Sequence, residues 1–184
     1  MKAVVLWSSP NTDGLTAAAK DSVLEGLRAE GVQAEDVHLN ALTLQHCIAC
    51  GNGFGTCRSD GTCVQQDDFA AVYEKLVKAD GIVLVTAVYW HDVTECMKAF
   101  LDRLRRCEAN HNHYLKDKKT LLAACAGGSG NGAVECLGHM ENYAQHMGLK
   151  LCDRLPVIRF NRGYMLPALK AAGAAFARRL GEEA

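Results

Sequence analysis

Four of the nine cysteines in this 184-residue chain crowd into one stretch, LQHCIACGNGFGTCRSDGTCVQQDD, residues 44 to 68. Cys47, Cys50, Cys57 and Cys63 sit on glycine-rich backbone with neither a helical nor a strand period. Such a set can hold a metal, form disulfides, exchange thiols or fill a core. Tetrahedral thiolate ligation tolerates varied spacing, so zinc on all four fits. Thiol exchange fits badly, because that chemistry uses a helix N-terminus to lower a thiol pKa and Cys50 runs into Gly-Asn-Gly. Disulfides fit an oxidised sample, not a reducing cytosol. Cys96, Cys107, Cys125, Cys136 and Cys152 fall in expected helices and strands and read as small buried hydrophobes.

A second candidate site is the loop SSPNTDGLT, which follows the first apolar run. Ser8, Ser9, Thr12 and Thr16 offer hydroxyls, Asn11 an amide, and the next helix its unpaired N–H groups, which suits a phosphate. It carries no Lys or Arg, so it is not a P-loop, and no G-x-G-x-x-G, so it is not a dinucleotide turn. A monophosphate held by hydroxyls and amides fits. Two more loops complete the set. TAVYWHD (86–92) brings Thr86, Ala87, Val88, Tyr89 and Trp90, whose aromatic pair could flank a planar ring. CAGGSGNG (125–132) brings Gly127, Gly128, Gly130 and Gly132, where backbone can approach a flat ligand. Phosphate cradle, aromatic wall and glycine floor together suit a mononucleotide with a planar head. Asp92 reads as the cap of the following helix. His111 and His113 read as a solvated turn or subunit contact at the opposite edge of the sheet.

Short apolar runs alternating with amphipathic stretches must position these loops. KAVVLW, VQAEDVHL, GIVLVTAVYW, TLLAACAGG and LKLCDRLPVIRF read as strands, each followed by a helical pattern. Five such units predict an α/β fold: a three-layer sandwich whose five-stranded parallel sheet carries helices on both faces. In either common doubly wound order the ligand lies outside the carboxyl ends of the strands. The loops expected there are 8–14, 40–66, 86–92 and 125–132. Residues 1–184 read as a single domain with a cysteine-rich loop insertion at 44–66.

Composition narrows the partners. Hydrophobic content of 49%, 22% charged residues and a net charge of −1 fit a soluble globular protein. They announce no basic face for nucleic acid and no surface for a membrane. The N-terminus lacks a signal h-region and no apolar run reaches membrane-span length, so the chain reads as cytoplasmic.

SSPNTDGLT, CIAC…C…CVQQDDF, ADGIVLVTAVYWHDVTECMKAFLDRL and CAGGSGNG together resemble the flavodoxin-like NAD(P)H-dependent FMN reductases, and within them the iron–sulfur flavoprotein branch. The resemblance runs from residue 1 to about residue 150. It implies a flavodoxin-like fold and FMN at Ser8, Ser9, Asn11, Leu15, Thr16, residues 86–90, Gly127, Gly128 and Gly130. It also implies two-electron chemistry with NAD(P)H, a small-molecule or protein electron acceptor, and a homodimer or homotetramer. On Cys47, Cys50, Cys57 and Cys63 it implies a 4Fe–4S cluster, although GNGFGT lengthens the family's middle gap. Ser8 stands for the family's glycine, Asn11 for its arginine, Leu15 for an asparagine, and Ala87 for a proline. No residue is required as a general acid or base. Three functions follow: an FMN-dependent reductase, an electron carrier passing single electrons between cluster and FMN, or a cofactor-free or zinc-stapled interaction module on the same scaffold.

Overall fold

The computed structural model describes residues 1–182. Strands β1 (Lys2–Ser8), β2 (Gln33–His38), β3 (Gly81–Ala87), β4 (Lys119–Ala126) and β5 (Lys150–Ile158) form one parallel sheet in the order β2-β1-β3-β4-β5. Helices α1 (Leu15–Ala29), α2 (Thr56–Ser59), α3 (Phe69–Lys78), α4 (Glu95–Cys107), α5 (Ala133–His146) and α6 (Arg162–Leu180) connect or follow the strands. This is the flavodoxin-like winding, as the alternation of apolar runs and amphipathic stretches predicts.

The continuous apolar character of β1, β3 and β4 follows from burial on both faces. In β1, Ala3, Val5 and Trp7 pack with Val23 and Leu27 of α1 and Leu169 and Phe176 of α6. Val4 and Leu6 point the other way, into a core shared with Val72 and Leu76 of α3, Phe100 and Leu104 of α4, and Leu137 and Met140 of α5. Edge strand β5 carries Pro156, whose missing N–H an edge tolerates.

The chain leaves β1 for β2 on one side and returns to β3 on the other, so the loops after β1 and β3 diverge at this switch point. Register levels their ends: Ser8 pairs with Thr86, and Ala87 with Cys125.

Two local expectations change. Thr94, not Asp92, caps α4, its Oγ1 accepting from the Met97 N–H at 3.2 Å. Residues 40–66 leave β2 at the ligand edge, but the cysteine-bearing part turns away and lies along the C-terminal half of α4. Arg103 donates to the Gln45 carbonyl at 3.0 Å, Arg106 to that of Gly53, and Asn112 to that of Gly61 at 2.7 Å. His111 and His113 lie at the far end of α4, in and just after a π-helical turn at Glu108–Asn112, away from the ligand edge as expected.

Candidate functional site: a crevice at the switch point and a four-thiol pocket

Beneath the crevice, buried hydroxyls are linked in a chain of hydrogen bonds. The Ser8 hydroxyl donates to Asn40 Oδ1 at 2.9 Å and meets the Thr94 hydroxyl. The Thr94 N–H donates to Thr86 Oγ1 at 3.3 Å, and Thr86 donates to the Ala87 carbonyl at 2.8 Å. Ser8, Thr86 and Thr94 are fully buried. Their hydroxyls therefore tie three loops together rather than face a ligand. Asn40 and Thr94 belong to this network and are not marked by the sequence, because Ser8, the partner they share, lies more than thirty residues from either.

The loop after β1 is braced from one side. His38 Nε2 bonds the Ser9 carbonyl at 2.8 Å, and its ring stacks on Trp7 with centroids 3.8 Å apart. The Trp7 indole donates to Asp36 Oδ1 at 2.7 Å, and Lys20 donates to Asp36 Oδ2 at 3.0 Å. Ser9 Oγ accepts from the Asn11 N–H at 3.2 Å, and Asn11 Oδ1 from the Asp13 N–H at 3.1 Å. Helix α1 then starts from Gly14 with no side-chain cap and no acidic residue in its first turn. Its N–H groups and dipole therefore favour an anion. Leu15 is half-buried against the core, and the Thr16 hydroxyl turns toward Cys125, whose thiol burial pushes up to about 12. Thr16 is buried, so it can offer a ligand only backbone.

After β3 the chain reverses in a two-residue turn. Tyr89 and Asp92 exchange backbone bonds of 2.8 and 3.0 Å around Trp90 (φ +49°) and His91 (φ +68°). Positive φ at both central residues is the geometry of a type I′ turn, where Gly or Asn is usual. Two bulky residues there cost on the order of 1–3 kcal/mol each, strain of the kind that gathers at binding sites. Trp90 stands 96% exposed. Val88, Trp90 and His91 form one wall of a cleft of about 390 Å³, and Ala126, Gly127, Gly128, Ser129, Gly130 and Asn131 form the other. That volume suits a small-molecule site. A Cβ on Gly127 or Gly128 would meet nothing within 4 Å, so the floor is open backbone. The structure thus brings Val88, Trp90, Gly127, Gly128 and Gly130 together, with Thr86 and Ala87 below them and Tyr89 facing away in its exposed bridge. His91, which the sequence reads as a surface histidine rather than a proton donor or partner contact, lines the same cleft, as does Asn131, which the sequence does not single out. For a planar ring the residues fit.

Cys47, Cys50, Cys57 and Cys63 line one cavity of about 20 Å³, closed by Arg103, Arg106 and Cys107 of α4. The donors turned to it are thiols, and no disulfide joins any cysteine. Gly51, Asn52 and Gly53 all take positive φ, so the backbone curls around the pocket. Among the described residues no three His, Cys, Asp or Glu side chains are grouped to hold a metal ion. A cluster asks something different of a loop than zinc does: one thiolate per iron around a larger body, against four sulfurs about 2.3 Å from one point. In donor chemistry the pocket fits the cluster. Burial pushes the Cys107 thiol up to about 12, which marks it as core. Cys125 and Cys136 are likewise buried, whereas Cys96 and Cys152 are half-buried. The pocket sits well down α4. From Thr94, beside the crevice, to Cys107 the helix rises about 20 Å.

Comparison with known proteins agrees with this geometry. An iron–sulfur flavoprotein of Archaeoglobus fulgidus is 31% identical over 81% of this chain and 64% of its own length. One from Methanosarcina thermophila is 33% identical over 73% of this chain and 68% of its own. This chain therefore spans a little under two thirds of the Archaeoglobus relative. In solved structures, a flavodoxin from the domain Archaea superposes with a TM-score of 0.66 at 15% identity, covering 99% of this chain and 100% of that one, a likeness of fold. The profile of the NADPH-dependent FMN reductases matches residues 1–157. With that profile laid over the strands, the crevice and its three loops, the chain belongs to the NADPH-dependent FMN reductase family.

Proposed function

We propose that the protein binds FMN in the switch-point crevice and works as an oxidoreductase drawing electrons from NAD(P)H. The observation that carries this is the cleft of about 390 Å³ between the 88–91 and 126–131 loops, beside an uncapped helix N-terminus. When bound, FMN supplies hydride acceptance and one- or two-electron release. The protein's part is placement. Ser9 and the first N–H groups of α1 receive the phosphate, and Gly127 and Gly128 let backbone lie flat against the ring. Trp90, held out by its strained turn, covers the other face. Beneath them the Ser8–Thr94–Thr86 chain fixes the spacing of the loops.

The four-thiol pocket favours a second function on the same scaffold, an electron carrier with a 4Fe–4S cluster on Cys47, Cys50, Cys57 and Cys63. Its support is the convergence of all four thiols on one cavity. One anaerobic preparation separates the readings. Flavin absorption, with brisk NAD(P)H oxidation on added FMN, supports the reductase. Iron and acid-labile sulfide, with slow turnover but fast electron uptake from a reduced ferredoxin, support the carrier. Colourless protein that takes up no FMN refutes both and leaves a scaffold for interaction. Among the described residues no helix is long and apolar enough to cross a membrane.

A further inference from the structure

Arg103 is 1% exposed and is among the largest fully buried side chains. Its Nη1 and Nη2 hold both oxygens of Asp67, at 2.7 and 2.8 Å, and its plane lies over Phe69 with 4.3 Å to the ring centroid. Asp67 also accepts the N–H groups of Gln45 (2.8 Å) and Phe69 (3.2 Å). The guanidinium cannot swing away. It lines the four-thiol cavity and reaches the Cys63 thiol. Its Nε is buried with no hydrogen-bond partner, alone in this among the buried side-chain nitrogens and oxygens of the described residues.

A buried donor without an acceptor carries its full desolvation penalty, and on a side chain that lines a cavity an acceptor bound there would relieve it. We propose that Arg103 is the fixed donor of the four-thiol centre, its Nε–H serving a sulfur beside Cys63, and that it raises the centre's one-electron reduction potential. The inference rests on the iron–sulfur reading above. One electron enters and no proton moves. The centre becomes more negative by one charge, which a preoriented N–H on a cation stabilises, favouring the reduced form.

The test uses the full chain, wild type and Arg103→Lys, reconstituted anaerobically with ferric iron, sulfide and dithiothreitol and titrated with dithionite. Lysine keeps a cation for Asp67 but has neither the fork nor Nε. The variant should hold as much iron and sulfide as wild type while its one-electron equilibrium shifts at least tenfold toward the oxidised form, a fall of about 59 mV. Equal content with an unmoved potential would overturn the proposal and leave Arg103 a strut between Asp67 and Gln45. Wild-type protein that takes up no iron would overturn the iron–sulfur reading and the proposal together. Should Arg103→Lys lose its circular dichroism, wild type labelled with ¹⁵N at arginine Nε decides. Pulsed EPR of the reduced centre should show a ¹⁵N coupling, and its absence would overturn the assignment.

Discussion

Gly132 lies flat against His91. A Cβ on Gly132 would stand 2.8 Å from His91 Cα and 3.0 Å from Cγ, and its φ of +84° already favours glycine. This contact holds the glycine-rich loop after β4 against the strained turn after β3, and so sets the width of the crevice between them. Gly132→Ala should force the loops apart and add about 1–2 kcal/mol of backbone strain. The expected outcome is FMN affinity at least tenfold weaker by fluorescence titration. Tm should fall by a few degrees, at roughly 2–4 °C per kcal/mol for a chain of this size.

Arg103 and Asp67 form an ion pair with 1% and 0% side-chain exposure. Removing the carboxylate charge leaves a guanidinium buried without its counter-ion, so Asp67→Asn should cost about 3–5 kcal/mol in denaturant unfolding. The pair also predicts a pH dependence. Burial alone would raise the Asp67 carboxyl, but Arg103 and the N–H groups of Gln45 and Phe69 outweigh it and hold the carboxyl below its ordinary value. A depressed carboxylate contributes stability that is complete above its unfolded pKa, about 4, and is lost as pH falls through the folded value. Wild type should therefore lose stability below about pH 4, and Asp67→Asn should lack that component of the acid limb.

Ser8 and Ser9 are neighbours with different work. Ser8→Ala strips half-buried Asn40 of its donor and breaks the contact with buried Thr94, and should cost about 1–3 kcal/mol of stability. Ser9 accepts one short-range bond from Asn11, and its hydroxyl proton remains for a ligand. Ser9→Ala should leave Tm within a degree or two and weaken FMN binding roughly three- to tenfold, the value of about one hydrogen bond. Paired thermal melts and FMN titrations check both halves.

Asn11 stands, exposed, where the resemblance to the family implies an arginine. Asn11→Arg gives up the bond to the Asp13 N–H, worth about 1 kcal/mol, and gains a charge-assisted contact to phosphate, worth about 1.5–3 kcal/mol. The net expectation is FMN binding tightened roughly fivefold at low salt, with the gain shrinking as ionic strength rises. Titration at two salt concentrations measures it.

Much of the fold is legible because buried parallel strands announce themselves as continuous apolar runs, as GIVLVTA does for β3. The three crevice loops follow once the strand ends are known. DVT offers two capping residues for α4, and the contacts with Ser8 and Thr86 select Thr94. The turn at Trp90 and His91 is not legible because Trp-His lacks the Asn-Gly or Gly-Gly signal of such a turn. Arg103 in DRLRR looks like one more solvated cation, and its burial depends on Asp67, thirty-six residues away. The same long-range ties draw the cysteine segment down α4, a path that spacing alone does not encode.

A flat ring resting on bare backbone is the heart of the account, and Gly128 tests it with least disturbance. Its missing side chain opens onto empty space, so Gly128→Val should fold and melt like wild type while filling the place of the flavin. Titrating FMN into both proteins is the decisive measurement. One FMN per wild-type chain and at least a hundredfold loss in the valine variant is the predicted result. Equal affinity in the two proteins would contradict it and place the flavin elsewhere.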